Sequence, residues 1–448
     1  MAILRVLAAA CVASAVAMLS TSVNGAQPDP RQFAGTQLNA LYAEISFMPG
    51  LKKLLPEFEK ETGIRVNLET MAEGAALQKA KLELATGTGT YDIIGAQSGD
   101  LPLYAQNKWL MPLDPFFGDS SLSDPKQLGL NDFIGSTRTA MAYEGKQYCL
   151  PFFAATQLLY YQIDKFKKAG ITGAPKTIDE LLKDAEALHT ANLPAIGMRG
   201  SPASAAGNVW PFTQFFYGEG AKYFADFPKN LTPEVNSPQA VKALQAYITL
   251  KNKYGPKGGA NFTFDDVVTA MQQGNIVMAI DGAPLAGRIL DPAQSKVAGN
   301  LGFAVVPGGA AGPHPSFVAH GLCIATGARS PKAAYRFLEW ATSAETMLKV
   351  AQNSTYLATP RNSVWENAAF SKKYNFDFGG GSFLAAYQKS LQLASPIYYP
   401  PLTVWPAISE RMGQAIQQAE IGSKPPKQAL DEANVDIKRI LVDNGLLK

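Results

Sequence analysis

The sequence predicts an α/β fold made of two lobes that share strands. Stretches with the alternating polarity of β-strands follow stretches with helical periodicity along most of the chain, which favours α/β layers over a sandwich or a bundle. No polar linker appears near the middle of the 448 residues, where a chain of two separate domains usually has one. Instead, two ordered apolar segments, around Pro151 and around Gly321, are placed to carry the chain from one lobe to the other.

The first lobe is predicted to begin with a strand over residues 37–42, then a helix and a second strand. The helix carries an apolar stripe made of Leu51, Leu54, Leu55 and Phe58. Gly63 is suited to the left-handed stop of this helix, and Pro56 is expected to kink it or to mark its start. Residues 64–68 then alternate in polarity as a strand does.

Further elements follow in the same alternation. The predicted helices cover residues 75–86, 101–108, 164–169, 178–189, 238–253, 264–273 and 330–342 and a C-terminal segment with Leu430, Ala433, Ile437 and Ile440 on one face. The predicted strands cover residues 91–96, 148–161, 276–280, 301–306 and 322–325. Thr177 and Glu180 have the spacing of a capping box at the start of the helix over 178–189.

The first 26 residues have the form of a secretory signal peptide. Arg5 precedes an apolar run over 6–19, and a small, polar stretch follows with cleavage expected after Gly25 or Ala26. The run of about 14 residues is shorter than the roughly 20 that span a bilayer. We therefore divide the chain into a signal peptide (1–26), an N-terminal lobe (27–150 and 321–355) and a C-terminal lobe (151–320 and 356–448), and we expect a periplasmic protein.

Composition argues against several function classes. With 40 basic and 37 acidic residues the chain is nearly neutral, which disfavours nucleic acid as a partner. Cys149 and Cys323 remain once the signal peptide is removed; they could form one bridge, but the apolar surroundings of each favour two buried free thiols. The 3 histidines are dispersed and the motifs of common hydrolases, zinc enzymes and nucleotide-binding loops are missing, so we expect neither an enzyme nor a cofactor.

Several segments together resemble one family of exported proteins. They are FEKETGIRVNLE (58–69), YDIIGAQ (91–97), KWLMPLD (108–114), GKQYCLPFFAATQLLYYQIDKFKKAGI (145–171), TAMQQGNIVMAIDG (269–282), VVPGG (305–309), HGLCIATGARSPKAAYRFLEWAT (320–342) and KQALDEANVDIKRIL (427–441). In this order they resemble the bacterial extracellular solute-binding proteins of carbohydrate-type ABC importers. The chain departs from the family at Gln162, where Asn is usual, and at Ala283, where an aromatic residue often stands.

The resemblance implies a type II-like periplasmic-binding-protein fold, with lobes joined by crossover hinge strands that close on a ligand. It also implies a sugar, polyol or sugar derivative as the ligand, a membrane permease as the partner and a monomer in solution. Strand ends and loops at the cleft supply the candidate ligand-binding residues: Glu44, Ser46, Gln97, Ser98, Asp100, Gln157, Arg199, Trp210, Tyr217, Asp281, His320 and Arg361. Phe215 is a further candidate for the aromatic platform on which a sugar would lie.

Other ligands and functions stay open at this point. Arg199 and Arg361 together in the cleft would favour an organic anion, and a cleft lined with carboxylates would favour a polyamine. The pairs Tyr160-Tyr161 and Tyr398-Tyr399 suggest ferric iron as a weaker alternative. A secreted glycoside hydrolase would need two carboxylates about 5 to 9.5 Å apart, a role open to Glu44 and Asp100. A protein that passes its ligand to a membrane receptor is a third possibility.

Overall fold

The computed structural model describes residues 28–123, 125–202 and 207–448, so the predicted signal peptide lies outside the described residues. The strands are β1 (Gln37–Ala43), β2 (Arg65–Met71), β3 (Ile93–Gln97), β4 (Ala142–Tyr143), β5 (Lys146–Gln147), β6 (Cys149–Gln162), β7 (Ile196–Gly197), β8 (Phe224–Asp226), β9 (Asn230–Pro233), β10 (Met278–Gly282), β11 (Leu301–Ala304) and β12 (Phe317–Ile324). The helices up to the second crossover are α1 (Met48–Thr62), α2 (Glu73–Thr86), α3 (Leu101–Gln106), α4 (Asp114–Phe117), α5 (Pro125–Leu128), α6 (Gly135–Ala140), α7 (Ile163–Lys168), α8 (Ile178–Leu188), α9 (Val209–Gly218), α10 (Pro238–Tyr254), α11 (Phe264–Gln272) and α12 (Ala286–Ile289). Those after it are α13 (Pro331–Ala341), α14 (Ala344–Asn353), α15 (Asn362–Trp365), α16 (Ala368–Tyr374), α17 (Phe383–Leu393), α18 (Trp405–Glu420) and α19 (Pro426–Asp443).

One mixed sheet runs through both lobes in the order β2-β1-β3-β12-β6-β10-β7, with β11 also paired to β6. In the first lobe β1 lies between β2 and β3 and is parallel to both. In the second lobe β10 is antiparallel to β6 and parallel to β7. Parallel neighbours need a helical crossover between them, which is why strands and helices alternate in the sequence.

The crossover strands that the sequence predicts are β6 and β12, and they pair with each other. The first half of β6, up to Thr156, lies antiparallel to β12, whereas its second half lies between β10 and β11. The two predicted crossover points meet, since Gly321 is the register partner of Pro151, next to a register shift after His320. Each lobe is therefore built partly on the same long strand, which explains why no polar linker separates them.

The predicted pair of free thiols is wrong, because Cys149 and Cys323 form a disulfide bond. The two residues are direct register partners on β6 and β12, with their Cα atoms 4.2 Å apart. A bridge requires Cα atoms within about 7 Å and Cβ atoms that face each other. The apolar segments around each cysteine indicate burial, but they do not reveal which residue of β12 lies opposite Cys149. The bond ties the two crossover strands together at their first-lobe end.

Helix α1 differs from its prediction at Pro56 and agrees at its end. It begins at Met48 with Pro49 in the first turn, and it continues through Pro56 to Thr62, so the predicted start at Pro56 is wrong. Gly63 stops the helix as predicted, with a φ of 71° and its N–H bonded to the carbonyl of Glu59. The predicted capping box is also confirmed, because Thr177 and Glu180 exchange both bonds at the start of α8.

Helices cover the sheet on each lobe and bury their apolar faces against it. Helix α1 packs against α13 and α14 beside the first-lobe strands, and α10 packs against α8, α9, α18 and α19 in the second lobe. Along α19 the buried face includes Leu430, Ala433 and Ile437, as predicted. No helix within the described ranges is long and apolar enough to cross a lipid bilayer.

Candidate functional site

A cavity of about 320 Å³ lies where the two lobes and the crossover strands meet. The first lobe contributes residues at the ends of β1 and β3 and the start of α2, and the crossover strands contribute their central residues. The second lobe contributes α9, α11, α12, the end of β10 and the loop after β7. The lining is made of Glu44, Ile45, Ser46, Pro49, Glu73, Gln97, Phe153, Ala155, Arg199, Trp210, Phe264, Gly282, Pro284, Leu285, Arg288, Val318, His320, Thr355 and Tyr399.

The cavity brings together half of the ligand-binding candidates that the sequence predicts. These lining residues are Glu44, Ser46, Gln97, Arg199, Trp210 and His320. They come from segments far apart in the chain, and each lies at a strand end, on a crossover strand, in a loop or at the first turn of a helix. The strand ends of the two lobes point at the same space, which is where open α/β sheets hold their ligands.

Arg199, one of the two arginines that line the cavity, is held by a buried carboxylate. Arg199 donates from Nε to both carboxylate oxygens of Asp281, at 3.1 and 3.0 Å, and Nη2 forms a further bond to Oδ1. Asp281 is fully buried at the end of β10, behind the lining. Burial opposes the charge of Arg199, but the carboxylates of Asp281 and Glu73 outweigh it and raise the pKa of the guanidinium. The positive charge is therefore compensated within the protein.

Neighbouring groups hold Arg199 at the cavity wall. Its backbone carbonyl accepts hydrogen bonds from the Tyr247 hydroxyl at 2.6 Å and from Lys251 Nζ at 3.0 Å. The guanidinium carbon lies 6.0 Å from the ring centre of Trp210 and 5.6 Å from that of Phe264, within the range of a cation–π contact. Two aromatic rings and the paired Arg199 thus form part of the second-lobe side of the cavity, to which Arg288, bonded to Asp265 at 2.6 Å, also belongs.

The first-lobe side of the cavity is made by an amide and two carboxylates. Gln97 Nε2 donates to Glu73 Oε1 at 2.6 Å. Burial raises the pKa of Glu73, although the charge of Arg199 and the bond from Gln97 act in the opposite direction. Glu44 accepts from Lys52 Nζ at 2.7 Å and from the Thr70 hydroxyl, so its charge is compensated as well.

The crossover side of the cavity presents a neutral histidine. Burial lowers the pKa of His320 to about 3, so the ring carries no charge at neutral pH. Its Nδ1 is hydrogen-bonded to the hydroxyl of Tyr42, a buried residue of β1. A Cβ atom at Gly95 would lie 1.5 Å from Tyr42 Cδ2, so this glycine is what allows the tyrosine ring to reach the histidine.

The other predicted candidates lie behind or outside the lining. Gln157 is buried and donates to the carbonyl of Trp210 at 3.2 Å. Ser98 lines a neighbouring groove, and Asp100 precedes α3, where burial raises the pKa of its carboxyl to about 6. Phe215 packs against Tyr247, and the Tyr217 hydroxyl donates to the carbonyl of Tyr398 at 3.1 Å.

Arg361 was predicted to face the ligand, but the structure makes it a packing residue. Its segment was assigned to the C-terminal lobe (356–448), yet its side chain packs among residues assigned to the first lobe. It is 1% exposed and donates to the carbonyls of Leu128, Gly129 and Thr342 at 2.8 to 2.9 Å. Its guanidinium carbon lies 3.7 Å from the ring centre of Phe133. The guanidinium is thus used to hold backbone carbonyls, and it does not line the cavity.

Several lining residues were not among those that the sequence predicted to bind a sugar or polyol. Glu73 is the first residue of α2, and its only signal is an acidic side chain in a first helical turn. Phe153 sits inside an apolar strand, Phe264 begins a helix and Tyr399 follows a segment without a helical or strand pattern. Nothing in their local sequence separates them from residues of the core.

Comparison with known proteins identifies the family. The family described as bacterial extracellular solute-binding protein matches residues 44–348, more than half of the chain. The chain belongs to this family. A family member at 26% identity is the erythritol/L-threitol-binding protein of Mycolicibacterium smegmatis, with 75% of this chain and 73% of that protein aligned. The mannitol-binding protein of Pseudomonas aeruginosa is 24% identical, with 98% and 99% aligned.

Solved structures show the same two-lobed fold. A solute-binding protein of an ABC transporter from Agrobacterium vitis S4, with bound D-mannitol, superposes with a TM-score of 0.79 at 26% identity and covers 92% of this chain and 99% of its own. The corresponding protein from Agrobacterium radiobacter K84, in complex with ribitol, has a TM-score of 0.81 at 24% identity and covers 91% and 99%. The predicted periplasmic-binding-protein fold is confirmed.

Proposed function

We propose that this protein is the periplasmic solute-binding component of an ABC importer and that its cargo is a small, uncharged polyol or sugar. The observation that carries the proposal is the cavity between the lobes, in which Arg199 is already neutralised by the buried Asp281 and Arg288 is paired with Asp265. A ligand would bond to Gln97, Glu73 and His320 on one side and to Arg199 on the other, and its C–H faces would lie on Trp210. Closure would place the ligand in contact with both lobes.

The chemistry of the lining fits hydroxyl groups better than a charged ligand. A carboxylate or phosphate ligand would need a cation that is not yet paired. Of the two arginines that line the cavity, Arg199 is bonded to Asp281 and Arg288 is bonded to Asp265 at 2.6 Å. Arg361 lies elsewhere. Vicinal hydroxyls can accept from Arg199 and Gln97 and donate to Glu73. Nε2 of His320 offers a further bond, as donor or acceptor according to the tautomer set by the Tyr42 hydroxyl on Nδ1. The relatives that bind erythritol, mannitol and ribitol support the same class of cargo.

The structure gives the alternatives less support. A polyamine would face Glu73 and Glu44, but Arg199 and Lys52 lie beside these two carboxylates. Of the tyrosine pairs proposed for iron, the first diverges, since Tyr160 donates to the carbonyl of Gly282 at 2.9 Å and Tyr161 to that of Gly380 at 2.9 Å. In the second pair the Tyr398 hydroxyl is already used, because it donates to the carbonyl of Trp210 at 2.9 Å. Of the two carboxylates proposed for a hydrolase, Glu44 lines the cavity and Asp100 does not. The relatives are binding proteins, and we propose a carrier without catalytic activity.

The test of the proposed cargo is a series of thermal melts with the protein that lacks residues 1–26. The panel contains erythritol, ribitol, mannitol, tagatose, a sugar acid, spermidine and ferric citrate. A ligand at about 100 times its dissociation constant adds roughly 2.7 kcal/mol to the native state, which raises the melting temperature by several degrees. We expect a shift with at least one polyol or sugar after a denature-and-refold step that removes retained ligand. A shift with the sugar acid, spermidine or iron alone would refute the proposed cargo.

A paired substitution tests whether the cargo binds in this cavity. Gln97→Ala removes an amide that lines the cavity, whereas Gln162→Ala removes a buried amide at the far end of β6, bonded to the carbonyl of Ile276 at 2.8 Å. We expect Gln97→Ala to weaken binding by up to about tenfold, the value of one neutral hydrogen bond. Gln162→Ala should leave the dissociation constant unchanged. Equal affinities of the two variants, measured by calorimetry, would place the ligand elsewhere.

A further inference from the structure

A larger groove lies next to the cavity, and one aromatic residue lines both spaces. A groove of about 1070 Å³ runs from the cavity region towards the β4–β5 hairpin. Its lining includes Ser98, Asn131, Arg138, Tyr143, Phe317 and Ile397. Tyr399 lines the groove and also the cavity of about 320 Å³. Tyr399 therefore borders both spaces.

Two backbone segments also lie between the two spaces. Gln97 lines the cavity and its neighbour Ser98 lines the groove, just as Val318 lines the cavity and Phe317 the groove. These segments are bonded to each other, because the N–H of Ser98 donates to the carbonyl of Ala319 at 2.9 Å. The backbone part of the wall belongs to the central sheet and cannot be removed without disrupting it. Tyr399, by contrast, lies between the two spaces with its side chain, which a substitution can remove.

Tyr399 is held in a fixed position between the lobes. Its ring stacks on Trp405 with centres 5.1 Å apart and planes inclined by 28°, and it meets Trp210 edge to face at 6.4 Å. On the first-lobe side it packs against Gly99, where a Cβ atom would lie 3.5 Å from Tyr399 Cδ2. The preceding residue is anchored as well, since the Tyr398 hydroxyl donates to the carbonyl of Trp210 at 2.9 Å.

We propose that the ring of Tyr399 is the wall that limits the cargo to one small polyol or monosaccharide, and that its removal joins the cavity to the groove. This inference rests on the proposed function. A water molecule takes about 30 Å³ in the liquid, so a cavity of about 320 Å³ holds about 11 groups of that size, which suits a polyol of four to six carbons. A disaccharide alcohol has roughly twice as many non-hydrogen atoms. The groove offers the additional space and the polar groups of Asn131 and Arg138.

The experiment compares Tyr399→Ala, Tyr399→Leu and Tyr399→Phe with the wild type by isothermal titration calorimetry. The small probes are erythritol, ribitol, mannitol and tagatose, and the large probes are maltitol, lactitol and sucrose. We expect the wild type to bind a small probe and to bind every large probe at least 100-fold more weakly. In Tyr399→Ala and Tyr399→Leu at least one large probe should gain tenfold or more in affinity. Tyr399→Phe keeps the ring, so it should gain no large probe, whatever its affinity for the small probes.

The outcomes separate this inference from the proposed function. A wild type that binds none of the small probes would refute the proposed polyol cargo, whatever the variants do. Suppose instead that the wild type binds a small probe but that neither Tyr399→Ala nor Tyr399→Leu gains affinity for any large probe. This result would overturn the role of Tyr399 and leave the proposed cargo intact. Tyr399→Leu is included because it fills part of the space beside Trp405 and Trp210 and preserves folding if Tyr399→Ala does not. A large probe bound by Tyr399→Phe as well as by Tyr399→Leu would also overturn the inference.

Discussion

The buried pair of Arg199 and Asp281 is expected to matter for stability as well as for binding. Its side chains are 11% and 1% exposed, whereas those of Arg288 and Asp265, a pair at the surface, are 45% and 59% exposed. Removing one partner of a buried pair leaves an uncompensated charge and costs about 3 to 5 kcal/mol, whereas an exposed pair contributes at most about 1 kcal/mol. Asp281→Ala should therefore lower the free energy of unfolding far more than Asp265→Ala. Urea unfolding of both variants measures this, and equal losses would contradict it.

The raised pKa of Asp100 predicts a specific dependence of the free energy of unfolding on pH. Burial raises the pKa of its carboxyl to about 6, helped by the charge of Glu73 and opposed by that of Lys81. The unfolded value is about 3.9, so the folded state binds the additional proton between about pH 4 and pH 6. The contribution of Asp100 to the free energy of unfolding is then most favourable below pH 4 and declines as the pH rises through 6, by up to roughly 3 kcal/mol.

The variant Asp100→Asn isolates this contribution from those of other carboxyl groups. Its stability relative to the wild type should increase from pH 4 to pH 7, because the variant avoids the cost of a buried charge. Urea unfolding at a series of pH values gives the difference directly. A difference that is constant over this range would show that the carboxyl titrates near its ordinary value, and a titration of Asp100 followed by NMR would provide an independent check.

At the scale of single residues, the sequence predicted some parts of the site and missed others for a physical reason. Gln97, Arg199 and Trp210 were recognisable because polar or aromatic residues follow a strand or lie in a loop. Arg361 met the same criteria, yet it holds backbone carbonyls inside the first lobe. Local sequence shows that a side chain can form bonds, but the partner that it finds depends on contacts between distant segments. Glu73 was missed for this reason too, and Tyr399 was considered only as part of a tyrosine pair for ferric iron.

At the scale of elements, the disulfide between β6 and β12 should stabilise the connection between the lobes. Cys149 and Cys323 are separated by 174 residues, and a bridge across a loop of about 100 residues or more is worth about 4 to 5 kcal/mol in the chain-entropy description. The double substitution Cys149→Ala and Cys323→Ala should reduce the free energy of unfolding by about 2 to 5 kcal/mol. Affinity for the ligand should change little, since neither cysteine lines the cavity.

Reductant provides the control for the disulfide. In the wild type, unfolding in the presence of dithiothreitol should shift towards the curve of the double variant, whereas the double variant itself should not respond. If the wild type unfolds identically with and without complete reduction, the bond contributes nothing to stability.

Secondary structure was easier to predict than the pairing of the strands. Apolar periodicity and caps such as Thr177 and Gly63 act within a few residues, so they located α8 and the end of α1. The long apolar run also predicted the strand β6, but it did not predict that β6 pairs with β12 in its first half and with β10 and β11 in its second half. Pairing β6 with β12 brings together segments more than 150 residues apart, and a shift of one residue in that register would have separated the two cysteines.

At the scale of the whole molecule, the cavity lining explains how a ligand would favour the closed form. Glu73 and Gln97 belong to one lobe and Arg199 and Trp210 to the other, so only the closed form offers all four to the ligand. A ligand shifts the population only by its difference in affinity for the two forms, and a shift from 1:99 to 99:1 needs about 5.5 kcal/mol. A few additional hydrogen bonds and one aromatic contact are of that order.

This account predicts a change of shape that small-angle X-ray scattering can measure. A compact chain of the length that remains after residue 26 has a radius of gyration of about 22 Å. With a saturating ligand the protein should approach that value, and without ligand it should exceed it, because the lobes separate about β6 and β12. Trp210→Ala removes a second-lobe contact, so at the same ligand concentration it should stay closer to the ligand-free curve. Identical scattering with and without a ligand that calorimetry shows to bind would mean that capture does not involve closure of the lobes.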